Sequence, residues 1–226
     1  GLSLIPNFTL DAVESTEGDS PSAPINRFGI GKINAEDLKL LGEGEYGYPV
    51  IECIDGQLIT NKLRLQPLLD HGAWCSNTAN DVLKIVVVNR YHPAPIAKAF
   101  IHRFGLTAGA IASSVAHDSH NIVAVGVDDE SLCRAINLVI KTKGGVSCVG
   151  PDVELCLPLP IGGLMSADDG YAVAAAYTAI DKAAKSLGST LSAPFMSLSF
   201  MALLVIPSLK LSDKGLFDGE AFGFYQ

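Results

Sequence analysis

The segment with the greatest capacity for chemistry is His117-Asp118-Ser119-His120-Asn121, which lies between two apolar stretches. Two histidines three residues apart, with a carboxylate between them, supply the imidazole and carboxylate ligands that zinc, manganese and iron accept. We therefore predict a functional loop here, with His117 and His120 as candidate metal ligands. The alternative is a polar turn in which Asp118 and Asn121 hydrogen-bond to the local backbone.

A second candidate is Arg90, within the polar segment 89–92 that follows an apolar stretch. Ligands of open α/β sheets bind beyond the carboxyl ends of the strands. Arg90 is therefore a candidate contact for a ligand, either through a carboxylate or by stacking on a base. The alternative is an ordinary ion pair with an acidic residue at the surface.

The glycine pair Gly162-Gly163 precedes a predicted helix, where free backbone N–H groups can hold an anion. The segment lacks the Lys-Ser/Thr of a P-loop and the third glycine of a dinucleotide-binding fingerprint. Asp168 and Asp169 would also repel a phosphate. We predict a plain turn at this position.

Several catalytic motifs do not occur in the sequence. There is no Gly-x-Ser-x-Gly, no His-x-Glu with Pro-Cys-x-x-Cys, no His-x-His and no His-Glu-x-x-His. The five cysteines are odd in number and form no Cys-x-x-Cys pair, so the spacing favours neither a disulfide framework nor a structural zinc site. We predict reduced thiols, as in a cytoplasmic protein.

The composition of the chain limits the classes of molecule that it is expected to bind. The 226 residues carry a formal net charge of -8, and the 16 basic residues are scattered, which disfavours binding to a nucleic-acid backbone. The most apolar stretch, residues 195–206, is shorter than the about 20 residues of a membrane helix. It predicts a buried strand or core segment. No basic and apolar signal segment follows Gly1.

The elements that must position these residues begin at Asp81. Val82 to Val88 is apolar and β-branched almost throughout, which predicts a strand covered on both faces. Further strands are predicted at 110–115, 122–127, 146–149 and 153–157. Helices are predicted at 94–104, 129–142 and 171–187. Helices that return between strands indicate a layered α/β domain with a mixed β-sheet and about three helices.

The first eighty residues have a different character. Residues 11–24 are rich in Ser, Pro and acids, which is typical of a linker. Asn34 is placed to cap a short helix, and Asp55-Gly56 predicts a hairpin turn. We therefore predict a small β-rich appendage over residues 1–80, followed by one α/β domain over 81–226.

The sequence resembles a known family. It is similar to the C-terminal domain of adenine deaminases, in the amidohydrolase superfamily, over nearly all of residues 50–218. The similarity is carried by VIECIDGQLITNKL (50–63), VLKIVVVNRYH (82–92), GAIASSVAHDSHNIVAVGVDD (109–129), LPLPIGGLMS (157–166) and PFMSLSFMALLVIPSLKLSDKGLFD (194–218). Its AHDSHN stretch is particularly specific.

The resemblance implies metal-dependent hydrolysis of adenine to hypoxanthine and ammonia. In the family, a divalent ion such as manganese, iron or zinc activates water, and its ligands come from an amidohydrolase barrel whose first strand ends in His-x-His. Such a barrel takes about 250 residues. The resemblance therefore implies that this chain lacks the principal metal ligands and is inactive by itself, with adenine and the barrel as its partners in a homo-oligomeric enzyme.

Two other hypotheses stay open on the sequence alone. The chain could be a small metal-binding hydrolase that uses His117, Asp118 and His120, although a fourth ligand is missing. It could instead be a non-catalytic domain for packing and oligomerisation. The mean hydropathy of +0.31 is high for an acidic domain and suggests a face that another surface covers.

Overall fold

The computed structural model describes residues 26–42 and 47–225. Its α-helices are α1 (Asp129–Lys141), α2 (Gly170–Ser186) and α3 (Pro194–Phe200), and short 3-10 helices span Ala35–Leu38 and Thr78–Asn80. Its strands are β1 (Leu40–Leu41), β2 (Tyr48–Cys53), β3 (Thr60–Leu65), β4 (Leu68–Asp70), β5 (Ala73–Cys75), β6 (Val82–Val88), β7 (Ala97–His102), β8 (Ala110–Ser113), β9 (Ile122–Gly126), β10 (Gly145–Val149), β11 (Glu154–Pro158), β12 (Leu209–Ser212), β13 (Gly215–Asp218) and β14 (Gly223–Phe224).

The main sheet has eight strands in the order β11-β10-β8-β9-β6-β7-β2-β3. Its neighbours pair antiparallel except β2 and β7, which pair parallel, so the sheet is mixed as predicted. A small antiparallel sheet, β1-β5-β4, forms the β-rich N-terminal part. The predicted fold class, α/β with a mixed sheet and three helices, is confirmed.

The predicted hairpin at Asp55-Gly56 joins β2 and β3, and Gly56 takes the positive φ of 69° that such a turn requires. The hairpin does not stand apart, because β2 pairs with β7 in the main sheet. Strands from the first eighty residues therefore contribute to the same sheet as the later ones. The domain boundary at residue 80 stays a prediction.

Strand β6 shows how the layers form. All seven of its residues are buried, as predicted. Because successive strand residues point to opposite faces, Leu83 and Ile85 belong to the core cluster that includes residues of α2, α3 and β12. Val86 and Val88 belong to the cluster that includes residues of α1. The sheet is thus covered on both faces. This explains why the strand has no polar alternation.

Helices α1 and α2 confirm two of the three predicted helices. Asp128 accepts a hydrogen bond from Ser131 N (2.7 Å) and caps α1, with acids in the first turn and Lys141 in the last. Asp169 accepts from the backbone N–H groups of Tyr171 and Ala172 (both 3.1 Å) and caps α2. Asp169 therefore has a structural role at the helix start.

The predicted helix over 94–104 is wrong, because this segment contains strand β7. It lies between β6 and β2, where both of its edges are hydrogen-bonded. Its two faces are both buried: Ala99 and Ile101 join one core cluster and Phe100 joins another. The apolar residues of β7 are buried on both faces and not on one alone, so their spacing also satisfies the helical pattern that suggested an α-helix.

The expectation for residues 195–206 is partly corrected. The segment is core, since Phe195 and Leu198 are buried, but it begins as helix α3 with Pro194 in the first turn, and not as a strand. No helix in the described residues is long and apolar enough to cross a membrane. The predicted linker at 11–24 lies outside the described residues.

All five cysteines are free thiols. Burial raises the pKa of Cys148 to about 12, and it raises the pKa of Cys53 to about 11. These two residues pack in the main core cluster as small apolar side chains. The expectation of reduced core thiols therefore agrees with their positions.

Candidate functional site

The segment His117–Asn121, hereafter the histidine loop, joins the neighbouring central strands β8 and β9. Strand β6 pairs antiparallel with β9, and the register places Val88 opposite Ile122. The end of β6 and the start of β9 therefore meet at one end of the sheet. As a result Arg90, just after β6, lies beside Asn121, whose side-chain oxygen accepts from Arg90 N at 3.3 Å.

The two histidines of the loop lie together. Their ring centroids are 5.5 Å apart in an edge-on arrangement. His117 also stacks on Phe200 at 5.1 Å between centroids, and its backbone N–H donates to Ser199 O at 2.9 Å. Helix α3 thereby supports the histidine loop from one side.

The remaining residues of the histidine loop differ in their exposure to solvent. Asp118 and Ser119 are exposed, whereas Asn121 is buried and donates from Nδ2 to Ser119 Oγ at 3.2 Å. His120 has a positive φ of 51°, and its N–H donates to Ala116 O at 2.7 Å. The hydroxyl of Tyr91 donates to Ser119 O at 2.6 Å. The loop is thus tied both to itself and to the chain after β6.

The environment of His120 favours the neutral form of its ring. Burial lowers the pKa of His120 most, the neighbouring His117 and Arg90 lower it further, and only Asp118 raises it. Its Nδ1 is buried and has no hydrogen-bond partner among the described residues. A neutral imidazole with an unused nitrogen can donate to a ligand or accept from it, according to its tautomer.

Arg90 is a buried cation beside this loop, with 3% of its surface exposed. Its guanidinium carbon lies 4.7 Å from the ring centroid of Tyr91 and 5.6 Å from that of Phe28. Nη2 donates to the Tyr91 hydroxyl at 3.1 Å, and Nη1 lies 3.5 Å from Asn26 Oδ1. Within residues 26–42 and 47–225, no carboxylate lies at ion-pair distance from it.

The described residues do not fit a metal ion. They contain no group of three or more His, Cys, Asp or Glu side chains arranged to hold one. His117 and His120 would supply two ligands, half of a tetrahedral zinc set. This arrangement disfavours the small-hydrolase hypothesis. Metal ligation by the two histidines stays a prediction that requires ligands from elsewhere.

The glycine pair is a turn that adjoins Arg90. Gly162 and Gly163 have positive φ of 64° and 76°, and Gly163 O accepts from Ser114 Oγ at 2.6 Å. A Cβ atom at Gly163 would lie 1.8 Å from Nη1 of Arg90. Glycine is required here because the guanidinium occupies the space of a side chain.

Some residues of the site were not identified from the sequence. Phe28, Tyr91 and Phe200 provide its aromatic surfaces, but they come from three separate parts of the chain. Only Tyr91 had a sequence signal, because it follows Arg90 directly. Phe28 is placed by the backbone hydrogen bonds from Gly29 and Ile30 to Arg90 O, and Phe200 is placed by the packing of α3. Periodicity reveals neither of these contacts.

Comparison with known proteins identifies the family. A family model described as the adenine deaminase C-terminal domain matches residues 57–223. The chain belongs to this family. It is 45% identical over 208 residues to an adenine deaminase of Methanosarcina barkeri, covering 89% of this chain and 38% of that protein. It is 52% identical over 176 residues to one from Sulfurovum sp., covering 77% and 32%, respectively.

A third relative, an adenine deaminase of Salinibacter ruber, is 44% identical over 230 residues, covering 99% of this chain and 42% of that protein. The chain thus spans about two fifths of the length of this relative and less of the other two. The resemblance found in the sequence is confirmed. The histidine loop and Arg90 both lie within the matched residues.

Proposed function

We propose that the chain is the C-terminal portion of an adenine deaminase, which hydrolyses adenine to hypoxanthine and ammonia. The relatives at 44–52% identity that carry this name support the proposal. In the intact enzyme, the partner of this domain is an amidohydrolase barrel. Residues of that barrel would hold the divalent ion, manganese, iron or zinc, and the ion would supply the activation of the attacking water.

Within that enzyme, we propose that the histidine loop closes the purine-binding site. The observation that carries this assignment is the buried Nδ1 of His120, which has no partner among the described residues and lies in a polar loop at the end of the central strands. A purine offers ring nitrogens and an exocyclic amine, which are complementary to such an imidazole. The loop would orient the base and exclude bulk water.

The first experiment tests whether the 226-residue chain is active alone. The purified chain is incubated with adenine and manganese, iron or zinc, and ammonia release is followed. We expect no turnover, because the described residues form no metal site. Metal-dependent turnover at about 1–1000 per second would contradict the proposal and favour the small-hydrolase hypothesis.

The second experiment tests the histidine loop in the intact enzyme. His120→Asn should lower kcat/KM for adenine by about 10- to 100-fold, because a positioned hydrogen-bonding group is lost. His71→Asn is the matched control, since the His71 side chain is 96% exposed. Equal kinetics in both variants, at wild-type melting temperature, would remove the loop from the purine site.

A second candidate function is packing and oligomerisation. Helix α2 has 17 residues but buries only Ile180 and Ala184, and Tyr171 at its start is 89% exposed. Such an uncovered apolar face is typical of a surface that contacts another protein. Light scattering of the chain and of Tyr171→Ser tests it. A monomer at all concentrations in both samples would exclude this function for α2.

A further inference from the structure

The backbone of Arg90 connects two segments that are distant in sequence. Its carbonyl accepts from Gly29 N at 2.8 Å and from Ile30 N at 3.2 Å, while its N–H donates to Asn121 Oδ1 at 3.3 Å. Residues 29–30 and the end of the histidine loop are therefore held at the same point after β6. This arrangement fixes where the Arg90 side chain begins.

Aromatic rings and backbone atoms of the described residues surround the side chain of Arg90. Tyr91 and Phe28 present ring faces to the guanidinium, and the backbone of Gly163 lies against Nη1. Its Nε is buried without a partner in this part of the chain. A buried cation without a counter-ion is costly, and aromatic faces offset only part of that cost. A charge kept under these conditions indicates a role beyond stability.

That role follows from the hydrogen bonds that leave the guanidinium. Nη2 donates to the Tyr91 hydroxyl at 3.1 Å, and this hydroxyl donates to Ser119 O at 2.6 Å. We propose that Arg90 is a positioning residue for the histidine loop: it orients Tyr91 by stacking and hydrogen bonding, and Tyr91 holds the loop at Ser119. The stacking and the hydrogen bonds do not depend on the proposed function, and only the consequence of this positioning for catalysis rests on it.

Hydrogen exchange of the 226-residue chain, followed by NMR, tests the proposal. The reporters are the amides of His117 and His120, whose N–H groups bond to Ser199 O and Ala116 O. In Tyr91→Phe and Arg90→Gln, we expect these amides to exchange about three- to tenfold faster, because one hydrogen bond of the link is lost. The matched control is Arg103→Gln, which removes an arginine whose side chain is 64% exposed.

Two comparisons separate positioning from general stability. In Tyr91→Phe, the faster exchange should be confined to the loop amides, and the melting temperature should stay at the wild-type value. Arg90→Lys keeps the charge but lacks the planar donor fork, so its loop amides should exchange as fast as those of Arg90→Gln. Unchanged exchange in Tyr91→Phe at wild-type melting temperature would overturn the proposal, even if Arg90→Gln does not fold.

Adenine kinetics of the intact protein then distinguish this proposal from the proposed function. Faster loop exchange with unchanged kcat/KM would support positioning by Arg90 and contradict a role of the loop at the purine. A lower kcat/KM in Tyr91→Phe with unchanged loop exchange would contradict positioning and support the purine role.

Discussion

Two buried cations lie near opposite ends of strand β6, and the groups that contact them differ in charge. Lys84, 1% exposed, donates from Nζ to Asp129 Oδ1 at 2.6 Å and to Leu38 O at 3.2 Å. Arg90, 3% exposed and two residues beyond the strand, finds only neutral partners among the described residues. Within residues 26–42 and 47–225, the fold therefore neutralises the charge of Lys84 and provides no counter-ion for Arg90.

The contrast separates a stabilising pair from a candidate functional group. The Lys84–Asp129 pair links the sheet to the first turn of α1, so it joins two layers of the domain. Arg90 instead adjoins the histidine loop, where an unpaired charge influences a nearby titratable ring. Perturbed and incompletely satisfied groups concentrate at functional sites. The two ends of β6 thus predict losses of stability that differ in size on mutation.

The largest expected effect comes from breaking the paired end. Asp129→Asn should lower the free energy of unfolding by about 3 kcal/mol, because Lys84 stays buried without its counter-ion. Urea unfolding measures the change. Glu130→Gln, which removes an exposed acid from the same helical turn, is the control and should change stability by less than about 0.5 kcal/mol. Equal losses in the two variants would show that the ion pair contributes little.

A third buried cation, Lys210, sharpens the comparison. Its partners among the described residues are two backbone carbonyls, Leu58 O at 2.6 Å and Phe200 O at 3.1 Å. Burial lowers its pKa from 10.5 to about 8. The unfolded chain therefore keeps the proton to higher pH, so the contribution of Lys210 to stability rises between pH 8 and 10.5.

Lys210→Met should abolish this rise. From pH 8 to pH 10, the unfolding free energy of the wild type should gain about 2 kcal/mol relative to the variant. Denaturant titrations at both pH values measure the difference, and other lysines, tyrosines and thiols cancel because both proteins contain them. A difference that is independent of pH would mean that Lys210 titrates normally in the fold.

A smaller effect is expected where α3 supports the histidine loop. Phe200→Leu removes the ring that stacks on His117 and should lower the free energy of unfolding by about 1 kcal/mol. Tyr171→Leu is the control, because it removes an aromatic ring that is 89% exposed. If thermal unfolding shows no difference between the variants, the stack does not hold the loop.

The smallest effect on stability is expected at the unpaired end. Arg90→Gln should change the free energy of unfolding by no more than about 1 kcal/mol, because the lost hydrogen bond and stacking are offset by removal of a buried unpaired charge. Urea unfolding beside Asp129→Asn makes the comparison direct. Equal destabilisation in both variants would remove the distinction between the two ends of β6.

Local sequence predicted much of the fold. The apolar run 82–88, the capped helices after Asp128 and Asp169, and the turn at Asp55-Gly56 all have the structures expected of them. Each of these signals acts within a few residues, through side-chain alternation, capping hydrogen bonds or the freedom of glycine. The polar histidine loop between two apolar strands was visible for the same reason.

The sequence by itself therefore determined the family, the layered α/β class and the position of the histidine loop. Only the tertiary structure decided that residues 97–102 form a strand, because two neighbours bond to its edges and two layers cover its faces. Likewise, only the register of β6 and β9 brings Arg90 to Asn121. These outcomes depend on contacts between residues that are far apart in sequence, and hydrophobic periodicity does not indicate such contacts.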